Sequence, residues 1–369
     1  MPQIAGARAI VRATRGGEGV KLLNEARGVT AGGAGGPGDV SDGYWLPTLL
    51  AADGRAFPTG PMVAYLAYSA VVVGALLALE GAGALQEFDR HVGTLQSAVN
   101  TIGVALFFLM GFRTNSSYAT WLEGRKLVSD VERALLSLAS TLEAGTVADK
   151  PLAQEMMRWG VAFTYALKCA QRNEDVLDDP GAAILAPAER AALRAVPVAQ
   201  RPMQCTNQLM RLSVEAFRRG ALVAGANDMD RLRGIIDALA ACVPAFTRIM
   251  DTPVPFAYVV HLRSFMVVWL MAMPALYAGD FGWWTLPVDF FIGYALLGME
   301  AISLEVEAPF GRDFNDLPLD DLTAAMAASA LAASGEVMAE AVEDGASHAS
   351  VLSEAPTGGN GRSSAADSH

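Results

Sequence analysis

The residue types that most often carry chemistry are sparse in this chain and stand apart. Cys169, Cys205 and Cys242 have no C-x-x-C spacing, so reduced thiols on a cytosolic side and no metal site are expected of them. The four histidines do not cluster. His261 stands beside Arg263 near one end of an apolar block, where an ordinary helix position is favoured over a proton relay. The run Gly32-Gly33-Ala34-Gly35-Gly36-Pro37-Gly38 could cradle a phosphate only with a strand before it and Lys-Ser or Lys-Thr after it. Neither is present, and a flexible linker is expected instead. No HExxH, P-loop or GxSxG pattern occurs, so the chain does not read as an enzyme.

What the sequence offers in place of a catalytic cluster is apolar surface. Of 369 residues, 52% are hydrophobic and 18% charged, against roughly 45–50% and about 25% in ordinary soluble domains. The excess concentrates in two blocks, 61–112 and 254–304. Four transmembrane helices are expected, over about 61–79, 92–112, 255–278 and 286–304, each near the roughly 20 residues that cross a bilayer. Gly81 to His91 reads as a short polar turn, the second span is expected to stop at Arg113, and Gly279 to Trp284 reads as a tight turn with interfacial tryptophans. Residues 113–253 read as a helical cytosolic region, because Leu127, Val131, Leu135, Leu138 and Leu142 recur every three or four positions. Pro180 and the Pro197–Pro202 region punctuate it. After a break at Pro309-Phe310-Gly311, an Ala-rich helix starts near Leu322 and fills 324–344, and a disordered tail covers 345–369.

Residues 1–52 read as leader and linker. Arg8, Arg12 and Arg15 without an acid give Met1 to Arg15 a transit-peptide character, set against a loosely helical leader. The net charge of −12 excludes nucleic acid as a partner, since phosphate binding wants a basic face. Part of the acid lies in the tail, at Glu336, Glu340, Glu343, Asp344, Glu354 and Asp367, and solubilises it. Basic residues set the orientation. The 80–92 turn holds only Arg90 and the 279–285 turn none, whereas Arg55, Arg113, Arg125, Lys126, Arg133, Arg248 and Arg312 lie on the other side. Both termini and the middle region are therefore expected inside, where the Asn115-Ser116-Ser117 sequon stays unused.

Three ordered stretches carry a resemblance. The first is Phe112-Arg113-Thr114-Asn115-Ser116-Ser117-Tyr118-Ala119-Thr120-Trp121-Leu122-Glu123-Gly124-Arg125-Lys126, at the end of the second span. The second is Thr252-Pro253-Val254-Pro255-Phe256-Ala257-Tyr258. The third is Glu305-Val306-Glu307-Ala308-Pro309-Phe310-Gly311-Arg312-Asp313-Phe314-Asn315-Asp316-Leu317-Pro318-Leu319-Asp320. Together they resemble the bestrophin family of anion channels, especially its bacterial and photosynthetic branch, over residues 53–323. Leu122 stands where the family commonly has a second tryptophan, and Thr120 where a basic residue is common.

The resemblance implies an all-α homopentamer whose second span lines a central pore. It places the pore neck at Val104, Phe108 and Phe112. Residues at i, i+4 and i+8 share a helix face, a five-fold axis repeats each as a ring, and an apolar ring can gate by dewetting. The competing reading makes them lipid-facing or packing residues. A cytosolic constriction is also implied, around 222–233. Asp313 and Asp316 fall on two aspartates of the calcium clasp of animal members. Here Arg312 and Phe314 interrupt the acidic run, and Ala308 and Glu305 replace amides. Against calcium stands the reading that these carboxylates cap the helix near Leu322 and pair with arginines at the subunit interface.

The function implied is passive conduction of chloride or bicarbonate by a multi-pass protein of a plasma or organelle membrane, the thylakoid included. Its expected partners are copies of itself, the lipid bilayer and the anion. The rivals are a secondary anion transporter, which needs coupling charges at mid-membrane near which only Glu300 lies, and a non-conducting membrane scaffold.

Overall fold

Long apolar sequence makes long helices here, because a bilayer core offers backbone groups no partners and only an internal ladder satisfies them. The computed structural model describes residues 58–82, 86–252, 254–313 and 315–335. The expected leader and linker, the part of the C-terminal helix beyond 335, and the tail lie outside these residues. Among the described residues the chain is all-α, with nine α-helices and one isolated bridge, Val147 with Leu222. The helices are α1 (Thr59–Gly81), α2 (Gln86–Glu143), α3 (Lys150–Arg172), α4 (Pro187–Arg194), α5 (Arg201–Arg218), α6 (Ala226–Asp251), α7 (Phe256–Phe281), α8 (Thr285–Glu307) and α9 (Leu319–Ala333). They fall into two units, one of 58–131 with 241–322, the other of 132–240 with 323–335.

Thr59–Gly81, His91–Glu143 and the stretch Ala226–Glu307 are long and apolar enough to cross a membrane. The third, at 82 residues, far exceeds one crossing and contains both α7 and α8. α2 does not end where its apolar run ends. The expected stop at Arg113 is a change of composition only, and the helix runs on unbroken to Glu143. Residues 113–143 hold no proline. Their one glycine, Gly124, sits flush on the loop after α8, where an added Cβ would lie 3.0 Å from Pro309 and 3.2 Å from the Phe310 ring.

Turns are shorter than expected. α2 already starts at Gln86, so the polar turn before it does not reach His91. α7 carries on through Asp280 to Phe281, and only Gly282–Trp284 turns the chain, with Gly282 at φ 55° where a side chain would be strained. α9 starts at Leu319, ahead of the expected Leu322.

In the first unit α1, α7 and α8 pack on one another, and α2 lays one face on α7. Gly103 allows that approach: a Cβ there would come within 2.9 Å of the Trp269 ring, whose Nε1 donates to the Val99 carbonyl at 2.9 Å. In the second unit α3 packs on α5. Asp149 caps α3 by accepting the Leu152 amide, and Asn173 ends it at φ 53°. Gly160 seats α3 on α2, where a Cβ would meet Leu138 at 2.7 Å. Val131, Leu135, Leu138 and Leu142 are buried along α2, and Leu127 is half-buried.

Candidate functional site

A helix turns 100° per residue, so α2 presents Val104, Phe108 and Phe112 on one face and Leu106, Met110 and Arg113 on another. The faces differ completely in environment. Val104, Phe108 and Phe112 are 65%, 68% and 60% exposed, while Leu106 and Met110 are fully buried and Arg113 is 1% exposed. The Phe108 and Phe112 rings touch each other, with centroids 5.7 Å apart, and stand clear of the unit's core. Toward the start of the helix the same face carries Ser97 and Thr101. Their hydroxyls donate to the carbonyls of Gly93 and Ser97, at 3.0 and 2.9 Å, and so lie along the helix.

The buried face ends on a charge cluster. Arg113 Nη2 donates to Glu307 Oε2 at 2.8 Å, and its Nε lies 3.6 Å from Glu300 Oε2. Arg263 Nε donates to Glu300 Oε1 at 2.7 Å, and Glu307 Oε1 accepts the Val254 amide at 3.1 Å. Between the two acids, Ser303 shares a 3.2 Å hydrogen bond with Thr114. Two guanidinium groups thus meet two carboxylates, and the buried charges cancel. Positions 300, 303 and 307 share one face of α8 because they are three, four and seven residues apart. Charge patterning singled out Arg113 only as an inside marker and Glu300 only as an acid near mid-membrane. The signal available in the sequence was the Glu300–Glu307 spacing opposite an arginine that closes an apolar run.

The loop after α8 holds the two candidate calcium ligands. The Asp313 amide donates to Asp316 Oδ2 at 2.7 Å, and the Asp316 amide donates to the Asp313 carbonyl at 3.1 Å. Leu317 N–H donates to the Pro309 carbonyl at 2.9 Å. Asp316 is buried, and a Cβ on Gly311 would come within 2.5 Å of its Oδ2. Trp121 Nε1 donates to the Asn315 carbonyl at 3.1 Å, and Asn315 Nδ2 donates to Glu305 Oε2 at 2.6 Å. Phe310 stacks on Phe246 with centroids 4.7 Å apart. Among the described residues no three His, Cys, Asp or Glu side chains gather as metal ligands. Two carboxylates, one already engaged by a backbone amide, supply only part of the six to eight oxygens calcium takes, the rest of which would have to come from carbonyls or water.

The model of the bacterial and fungal bestrophin proteins matches residues 54–332, the stretch that holds α1 to α8, the charge cluster and the loop just described. The chain belongs to the bestrophin family. This bestrophin is 31% identical over 257 residues to a voltage-dependent anion channel-forming protein of Mesorhizobium japonicum, covering 68% of this chain and 79% of that one. It is 30% identical over 223 residues to a protein of the same description from Escherichia coli K12, covering 59% of this chain and 70% of the relative. A crystal structure of a bacterial bestrophin homologue from Klebsiella pneumoniae shares the fold at a TM-score of 0.66 and 22% identity, over 75% of this chain and 98% of that one. The all-α fold expected from the sequence is that of the bestrophins.

Proposed function

We propose that this bestrophin is an anion channel subunit that assembles as a homopentamer, with α2 of each copy lining a central pore. Val104, Phe108 and Phe112 then repeat as three apolar rings that form a neck, which water leaves readily and which gates by dewetting. Phenylalanine ring edges are positive and favour an anion over a cation. Chloride and bicarbonate are the anions proposed. α1, α2, α7 and α8 are the four spans, with both termini inside, in a plasma membrane or an organelle membrane such as the thylakoid.

One observation carries this reading: three large apolar side chains stand exposed on one face of a helix whose opposite face is buried. The relatives named as anion channel-forming proteins support it. The pairing of Glu300 with Arg263 and Arg113 favours a channel over a transport cycle, which needs a charge free to change partners. Calcium binding at Asp313 and Asp316 is proposed to be weak and dispensable.

Planar-bilayer recording from purified protein, with the assembly mass measured in detergent, tests the proposal. A pentamer that passes chloride or bicarbonate current is expected, with most of the current surviving chelation of calcium. A stable monomer or dimer contradicts it. Loss of current on chelation, restored by calcium and abolished in Asp316→Ala, would contradict the calcium part alone.

A further inference from the structure

Three turns of α7 carry Trp269, Met273, Tyr277 and Phe281 at four-residue spacing, on one stripe of the helix. That stripe is one wall of a cavity of about 420 Å³ within the first unit. Val104 and Phe107 of α2 stand on a second wall, and Val288 and Ile292 of α8 on a third. From Trp269 to Phe281 the groove follows α7 for about 18 Å.

Its two ends differ in chemistry. At the Trp269 end the Phe107 ring meets the indole edge-on, with centroids 6.0 Å apart, and the indole Nε1 is already bonded to the Val99 carbonyl. At the Phe281 end the groups are polar. The Tyr277 hydroxyl donates to Asn100 Oδ1 at 2.8 Å, and Gln96 Nε2 donates to Asp280 Oδ2 at 2.8 Å. Trp283 and Trp284 follow in the turn, 59% and 75% exposed, as residues do at the boundary of a bilayer. The rim thus bears an acid, and the 279–285 turn holds no Lys or Arg.

The shape of the cavity selects its occupant. A side chain from a second copy enters a hole bounded by about four residues, whereas this groove is three turns long. Half of a bilayer's hydrocarbon is about 15 Å deep, close to the length of the groove. An apolar groove that runs along a helix axis and ends in polar groups at the boundary fits a lipid tail with its head outside. The Asp280 carboxyl attracts an ammonium head and repels an anionic one.

We propose that this cavity binds one acyl chain of a phospholipid from the leaflet beside Gly282–Trp284, with an ammonium head at Asp280 and the chain end at Trp269. The site rests on α2, α7 and α8 crossing a bilayer, and not on conduction or on the number of copies. Because Val104 lines the cavity, the chain also backs one of the positions proposed for the neck.

Brominated phospholipids test this, because bromine quenches tryptophan only on contact. Trp269 is 7% exposed, so bromine reaches it through the cavity and not from the surrounding detergent. Its emission is the difference between wild type and Trp269→Phe, both full-length. Phosphatidylethanolamine brominated at the chain end should saturably remove most of that emission. The same lipid brominated near the head should remove little, and chain-end-brominated phosphatidylglycerol should require several-fold more lipid. Val288→Phe, which narrows the open side of the cavity, should abolish the effect. Quenching confined to the tryptophans that remain in Trp269→Phe overturns the site and leaves the spans in place; a second copy filling the groove gives this result. Quenching of no tryptophan removes the spans as well. Equal quenching from both bromine positions overturns the depth of the chain, and equal quenching by both lipids overturns the head at Asp280. If Trp269→Phe does not fold, native mass spectrometry decides. Wild type should retain one more phosphatidylethanolamine per subunit than Val288→Phe, and equal retention overturns the proposal.

Discussion

The two faces of α2 use the same kinds of residue to opposite ends. Leu106 and Met110 fill the core of their unit, whereas Val104, Phe108 and Phe112 leave it and stand exposed. The buried face then closes on Arg113 and its glutamates, while the exposed face ends in a pair of phenylalanine rings. A large apolar side chain that its own chain does not bury needs something else to face, and a water-excluding pore ring shared with other copies is such a setting. The buried face should therefore govern stability and the exposed face should not.

Substitution at the charge cluster should break the buried face most severely. Arg113→Met leaves Glu307 without its guanidinium and Glu300 with Arg263 alone, and stripping one partner from a buried pair costs about 3–5 kcal/mol. Loss of folded protein in size exclusion, or a large drop in melting temperature, is expected. A variant that melts with wild type would show that the cluster does not hold α2 to α8.

A pair of alanine variants one half-turn apart sharpens the contrast. Met110→Ala empties a fully buried site and should cost about 2–5 kcal/mol. Phe108→Ala removes a larger side chain from an exposed site, and the folded subunit should change by no more than about 0.5 kcal/mol. Equal losses in denaturant unfolding would erase the distinction between the faces.

The smallest effect lies in the other unit, where ion pairs reach the surface. The Arg201 guanidinium beside Asp175 holds that carboxyl below the usual carboxylate range, helped by the Leu177 amide. A carboxyl lowered on folding stabilises the protein above its unfolded value, near pH 4, and that stabilisation is lost as pH falls through the lowered value. Asp175→Asn should flatten the acid side of the melting curve slightly, because the carboxylate is partly exposed and screened. An acid limb as steep as that of wild type would remove Asp175 from the account.

Part of this was legible in the sequence and part was not, for physical reasons. Apolar runs mark α1, α2, α7 and α8, because runs of that length and hydropathy are what crossing a membrane would demand. They do not mark which side of a helix is buried, because α1 and α7 are apolar all round and carry no stripe. Arg113 looked like the end of a helix because arginine ends apolar runs; its partner Glu307 is 194 positions away, beyond any local pattern. The buried hydrogen bond from Ser69 to Asp289 was invisible for the same reason, its two ends standing 220 positions apart. The neck positions came from a family resemblance, since a spacing of four residues fits a core stripe as well as a pore.

The central claim is that the exposed face of α2 forms the neck of a pore, and the triple variant Val104→Ala, Phe108→Ala, Phe112→Ala tests it most directly. Size exclusion and planar-bilayer current are measured on one preparation. The account predicts an intact assembly with larger or less regulated anion current, because the rings narrow and dry the path without holding a core. Failure to assemble would make these residues packing residues, and an intact assembly whose current and gating match wild type would mean that they do not face the pore.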